Sequence, residues 1–261
     1  MLLASLVLLL GTTTATALEV LGVESASTAQ EGPSLTLPQY TVPVDGLLVV
    51  RIGTHGGASN SVRFNGEEMI HASSLEVTYL TTIAVEMFYL PVEAGEVGDI
   101  AVTWRRNGTD QRALVAATVA GASDLEIARV WTDGSPQGNG RIGPNVAEIQ
   151  MNATGASALL SAFTAFGNGV PEITGPDHVL DDHPTVPEST FHEMKFQAGH
   201  VEAPGASAHT IGFRNTNALG FMDYAMIVAS FTAVPEPGFA LTLGAGVAGL
   251  AAFGRRHRPL R

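Results

Sequence analysis

Residues 61–70, "SVRFNGEEMI", decide how this chain is read. Asn65-Gly66 stands between Val62 and Phe64 on one side and Met69 and Ile70 on the other. A tight two-residue hairpin turn needs positive φ at both central positions, and Asn followed by Gly adopts it at least cost. Upstream, "GLLVVRIGT" (46–54) holds a core run from Leu47 to Ile52. Downstream, "IAVEMFYLPV" (83–92) alternates Val85, Met87 and Tyr89 with Glu86 and Phe88. "DIAVTWRRNGTD" (99–110) sets Ile100, Val102 and Trp104 on one face and ends at a second Asn-Gly pair, Asn107-Gly108. "RALVAATVAGAS" (112–123) is a strand of small residues that stops at Gly121.

Further strands are expected at Val146 to Met151, Ala158 to Phe166, Phe191 to Phe196, His209 to Arg214 and Tyr224 to Phe231. Of these, "ASALLSAFTAF" (156–166) would also serve as a helix. Strands spaced roughly 8–15 residues apart, with Gly, Asn, Pro and Asp between them, predict an all-β protein, a jelly-roll or immunoglobulin-like sandwich. The 29 glycines agree, because a sandwich needs many turns. No block recurs at a fixed period. The reading is one domain over 18–233 with a long irregular excursion from about Val170 to Ser189; two small sandwiches remain the alternative.

Charge narrows the partners. Of 261 residues, 25 are acidic and 13 are Lys or Arg. Four of those 13, Arg255, Arg256, Arg258 and Arg261, fall in the last seven positions. The remainder is more acidic than the formal net charge of −12 conveys, and it repels phosphate backbones, so nucleic acid is excluded as a partner. The chain has no cysteine, which excludes disulfides, thiolate nucleophiles and Cys-ligated zinc. Lys195 is its single lysine.

The two ends differ from the middle. Met1 to Leu10 is apolar apart from Ser5, and Ala15 and Ala17 form an Ala-x-Ala site, so 1–17 reads as a signal peptide. Gly238 to Gly254 carries no polar group larger than a threonine hydroxyl. As a helix, 238–254 would be about 25 Å long, at the short limit for a bilayer core of about 30 Å. Arg255 and Arg256 follow at once; they can snorkel to the headgroups and mark the cytoplasmic side.

Val234, Pro235, Glu236 and Pro237, then the apolar span, then Arg255, Arg256 and Arg258, resemble the PEP-CTERM sorting signal of Gram-negative bacteria. The resemblance implies a precursor held transiently in the inner membrane by 234–261. Export machinery and an exosortase-like processing enzyme would be its partners, and the cell surface or extracellular space its destination. Residues from about Pro43 to Ala233 also resemble exported bacterial β-sandwich domains. The pattern is carried by Asn65, Gly66, Glu86, Tyr89, Leu90 and Trp104; many such domains are accessory to adhesion and polymer binding.

Candidate chemistry gathers in the excursion "GVPEITGPDHVLDDHPTVPESTFHEM" (169–194). Asp177, Asp181 and Asp182 could offer hard oxygen ligands to calcium, whereas His178 and His183 with a carboxylate would suit a transition metal. Neither spacing matches a metal motif, and a solvated, proline-punctuated loop is the competing reading. No cofactor is called for otherwise. Ser207 lies two residues from His209, but the sequence displays no acid partner for the pair and no Gly-x-Ser-x-Gly elbow. Trp131, ahead of the Gly-rich "TDGSPQGNGRIG" (132–143), is the candidate stacking platform for a sugar ring, while Trp104 has the phase of a core residue. The function expected is therefore a non-enzymatic surface or matrix protein that binds exopolysaccharide or a surface partner. A secreted polysaccharide hydrolase using paired carboxylates is the alternative, with Glu86, Glu148 and Glu193 on predicted strands.

Overall fold

The computed structural model describes residues 18–28, 32–78, 82–104, 111–120, 146–153, 155–166, 171–182, 184, 194–216 and 223–233, together with the backbone of 125–136. The segments expected to be a signal peptide (1–17) and a sorting signal (234–261, with its expected span at 238–254) lie outside these residues, as do Asn107-Gly108, His183 and Glu193. Among the described residues no helix is long and apolar enough to cross a membrane.

Seventeen strands are described, all paired antiparallel. The first nine are β1 (Glu19–Thr28), β2 (Ser34–Thr41), β3 (Gly46–His55), β4 (Ser61–Phe64), β5 (Glu67–Glu68), β6 (Ile70–Thr78), β7 (Thr82–Val92), β8 (Val97–Thr103) and β9 (Gln111–Ala120). The other eight are β10 (Leu125–Pro136), β11 (Val146–Ala153), β12 (Ser157–Phe166), β13 (Pro171–Thr174), β14 (Val179–Asp182), β15 (Met194–Ala203), β16 (Ser207–Asn215) and β17 (Asp223–Ala233). They form four sheets: A in the order β1-β9-β3-β7-β6, B as β2-β8-β4-β5, C as β10-β17-β12-β15-β14, and D as β11-β16-β13.

The strand order repeats. Matching β1 with β10, β2 with β11, β3 with β12, β4 with β13, β6 with β14, β7 with β15, β8 with β16 and β9 with β17 converts sheet A into C and sheet B into D, with only the two-residue β5 left over. Residues 19–120 and 125–233 thus follow one path twice, although no block of sequence recurs. The halves also pack in a reciprocal way. β6 lies on β10 and β17, β14 lies against β1, and β3 faces β12. Since β14 is the counterpart of β6 and β10 that of β1, each half offers the same face to the other, as subunits do across a two-fold interface.

Three cores follow from this B-A-C-D layering. One fills the space between B and A, with Leu48, Val50 and Ile52 of β3 against Val62, Phe64, Ile100, Val102 and Trp104. Another lies between C and D, with Leu159 and Phe163 against Ile211 and Phe213. The third joins A to C through Leu47, Val49, Val85, Met87, Leu160, Ala162, Ile227 and Phe231. Sheets A and C are therefore covered on both faces, and β3, β9 and β12 are almost wholly buried. At the crossing of β3 and β12, Gly53 leaves room for the Phe196 ring and the Thr164 hydroxyl, which a Cβ there would strike.

Several expectations are met. Asn65 and Gly66 have φ of 48° and 85°, the two positive values such a turn requires. Trp104 is buried with Ile100 and Val102. Residues 157–166 form a strand, paired on both sides by β15 and β17; its small apolar residues suit a strand enclosed on both faces. The excursion is more ordered than its composition suggests. β13 joins sheet D and β14 joins sheet C, so this segment crosses from one sheet to the other.

Candidate functional site

The excursion's acidic and histidine side chains separate into two groups because β13 and β14 belong to different sheets. Asp181 faces the interface between the halves. It falls where the β14–β15 register shifts, between the pairs Leu180–Gly199 and Asp182–Ala198. The extra residue of a bulge re-aims a side chain, and here the carboxylate reaches Arg51 of β3 and His200 of β15. Arg51 Nη1 donates to Asp181 Oδ2 and, at 3.1 Å, to the carbonyl oxygen of Gly199. His200 Nδ1 meets the other oxygen, Oδ1, and its Nε2 lies 4.0 Å from Glu202 Oε1. That Glu202 oxygen accepts the Val20 backbone N–H at 2.8 Å. The Arg51 and Asp181 side chains have no solvent exposure. Burial alone would raise the Asp181 carboxyl, but the Arg51 charge and the His200 contact outweigh it and bring the pKa down to about 2.

His178 points the other way, into the C–D core. Its Nε2 is 2.8 Å from Ser161 Oγ and its Nδ1 is 3.2 Å from the Thr174 carbonyl oxygen. Phe213 meets the ring edge-on at 5.3 Å. Gly199 makes this possible, since a Cβ there would press on His178 Nε2 at 2.6 Å. Burial dominates the titration of His178 and lowers its pKa to about 4, so the imidazole is neutral at pH 7.

Asp177 belongs to neither group. Exposed at the loop before β14, it stands 3.6 Å from His209 Nδ1 of β16, and His209 Nε2 lies 2.6 Å from Ser207 Oγ. A carboxylate thus faces the Ser207–His209 pair from 30 positions upstream of Ser207, beyond hydrogen-bond distance. Asp182 is half-buried at the end of β14. Asp177, His178, Asp181 and Asp182 therefore do not converge, and among the described residues no group of three or more His, Asp or Glu gathers in a way that could hold a metal ion.

The carboxylates on predicted strands differ sharply. Glu86 is buried in sheet A and accepts from the Ser59 N–H at 2.6 Å and the Ser59 hydroxyl at 3.1 Å; burial raises its pKa against those two bonds. Glu148 is exposed on β11. Trp131 lies on β10, the edge strand of sheet C, paired with Val228.

Sheet D supplies one of the two open faces. β11 alternates strictly between exposed and buried residues, so Glu148, Gln150 and Asn152 look outward while Ala147, Ile149 and Met151 pack inward. Opposite Gln150 and Asn152 stand Thr210 and Ala208 of β16. With the intervening Met151 and His209, these four line a depression of about 340 Å³.

Arg51, His200 and Ser161 are the residues that reading the sequence missed. One signal was present for Arg51: a charge inside the apolar run "LLVVRIG" needs a buried partner. No protein-family profile, curated protein or solved structure matches the chain.

Proposed function

We propose that this chain is an exported surface or matrix protein that binds a neutral polysaccharide through the outward face of sheet D. Each half of the fold is a jelly roll, and the two are stacked in tandem. Residues 1–17 act as the signal peptide. The PEP-CTERM-like tail, with its membrane span at 238–254 and its arginines on the cytoplasmic side, holds the precursor in the inner membrane until an exosortase-like enzyme removes it.

The observation that carries the binding reading is the depression lined by Gln150, Asn152, Ala208 and Thr210. Two amides and a hydroxyl offer both donors and acceptors to sugar hydroxyls, and the small Ala208 lets a ring approach the sheet. The strong negative charge of the body favours an uncharged polymer over one rich in carboxylates or phosphates.

Calorimetry and a glycan array with the full-length protein test this. Neutral bacterial polysaccharides should bind, and Gln150→Ala with Asn152→Ala should weaken them about tenfold, the equivalent of about 1.4 kcal/mol for lost hydrogen bonds. Absence of binding to every neutral polymer at millimolar sugar would rule the ligand out. Cell fractionation with and without 234–261 tests the address separately: the intact precursor should enter the membrane fraction and the truncated one should not.

A further inference from the structure

Ser207, His209 and Asp177 meet at the rim of the second half, where the turn that carries the chain from β15 of sheet C to β16 of sheet D opens to solvent. Ser207 Oγ is 2.6 Å from His209 Nε2 and 3.1 Å from the carbonyl oxygen of Gly205. Behind the ring, His209 Nδ1 is buried, has no hydrogen-bond partner among the described residues, and faces Asp177 Oδ2 at 3.6 Å.

A neutral imidazole carries one proton, and its neighbours decide on which nitrogen. An ionised carboxylate can only accept, so Asp177 favours the tautomer with the proton on Nδ1. That leaves the Nε2 lone pair directed at Ser207, whose hydroxyl then donates to the imidazole. This is the polarity a serine nucleophile requires. Without Asp177, the hydroxyl can donate to the Gly205 carbonyl instead, with Nε2–H donating to the serine.

We propose that Ser207 is a nucleophile toward esters of short acyl groups, with His209 as its general base and Asp177 as a positioning residue. The surroundings set the substrate class. Ser207 is exposed, its neighbours are Ala206 and Ala208, and an added Cβ at Gly205 would touch nothing within 4 Å. Such open ground admits the carbonyl of an acetyl ester but offers no channel for a long acyl chain.

The chemistry balances without a cofactor. Ser207 Oγ adds to the ester carbonyl carbon while its proton passes to His209 Nε2. The C–O bond to the alcohol then breaks, and the imidazolium returns that proton to the departing oxygen. Water attacks the acyl-serine by the same route, with His209 taking its proton and giving it back to Ser207, which releases the carboxylic acid. General-base assistance of this kind contributes about 10²–10⁴-fold, so a slow esterase is expected.

The test uses the full-length protein, 4-nitrophenyl acetate as substrate and a fluorophosphonate as covalent probe. Peptide mass mapping should place the phosphonyl group on Ser207, and Ser207→Ala should remove both the adduct and the protein-dependent hydrolysis. Because Ser207 is exposed, that variant folds normally, and circular dichroism verifies it. Asp177→Asn should keep the site of labelling, slow hydrolysis about tenfold or more and displace its pH profile. An unlabelled Ser207, or a Ser207→Ala variant that hydrolyses at the wild-type rate through imidazole alone, overturns the proposal. An Asp177→Asn variant with unchanged rate and pH profile removes Asp177 from it. The small ester needs no polymer, so loss of glycan binding would leave this result standing.

Discussion

The inner pair of sheets and the outer pair obey different rules. In sheet D, covered on one face, β11 alternates exposed and buried residues along its whole length. In sheets A and C, covered on both, β9 and β12 are buried throughout and β3 nearly so. A doubly covered antiparallel strand therefore reads as a continuous run of small and apolar residues, a pattern more familiar from parallel sheets. The consequence for charge is direct. On the outer sheets a pair such as Arg214–Glu172, at 2.8 Å, is half in water on both sides and worth little. On the inner sheets Arg51 and Glu86 are out of water and must be answered by Asp181 and Ser59.

Removing one inner partner should break this contrast most severely. Arg51→Ala strands the Asp181 carboxylate between the halves and should cost about 3–5 kcal/mol in urea denaturation. Arg51→Met combined with Asp181→Leu should recover most of that loss, because Arg51 Nε and Nη2 are buried with no hydrogen-bond partner among the described residues. If the double variant is as unstable as the single one, the ion pair contributes more than its desolvation costs.

Acid should act next, through His178. Its pKa falls from 6.5 to about 4 on folding, so the unfolded chain binds the extra proton across that interval. Stability from this group is complete above about pH 6.5 and is lost as pH falls through 4, a change of about 3 kcal/mol. Asp181 adds a second loss at lower pH, since its stabilising charge disappears between about 4 and about 2. Denaturation curves recorded from pH 7.5 to 4 should show the first decline, and His178→Gln should flatten it. An equally steep decline in that variant would place the acid sensitivity elsewhere.

The smallest effect belongs to the outer face. Val146 is an exposed apolar residue at the start of β11. Val146→Ser should change stability by no more than about 0.5 kcal/mol, measured by the same denaturation. A loss several times larger would mean that this end of sheet D is covered.

Reading the residues recovered the strand character of the chain from particular places. Asn65-Gly66 declared its turn, and the phase of Ile100, Val102 and Trp104 declared its core. Other strands carry no such signal. In β2, Pro38 and the positive φ of Gln39 interrupt the alternation, which only an edge strand tolerates. β13 and β14 are four residues each and polar enough to pass for loop. Within the candidate sites, Ser207 and His209 are visible as neighbours and Asp177 and Asp181 as carboxylates of the excursion, but the approach of Asp177 to His209 and of Asp181 to Arg51 and His200 is not. Arg51 and Asp181 are 130 positions apart, and nothing local encodes the bulge that turns Asp181 inward.

The sequence by itself determined that this chain is acidic, free of cysteine, and built of short strands divided by turns, because those properties rest on residue type and on periods of two. Tertiary structure alone decided which strands lie inside, that one strand order is used twice, and which charges meet. Burial on a second face and contact across more than a hundred residues arise only when the sheets stack, and no local propensity records them.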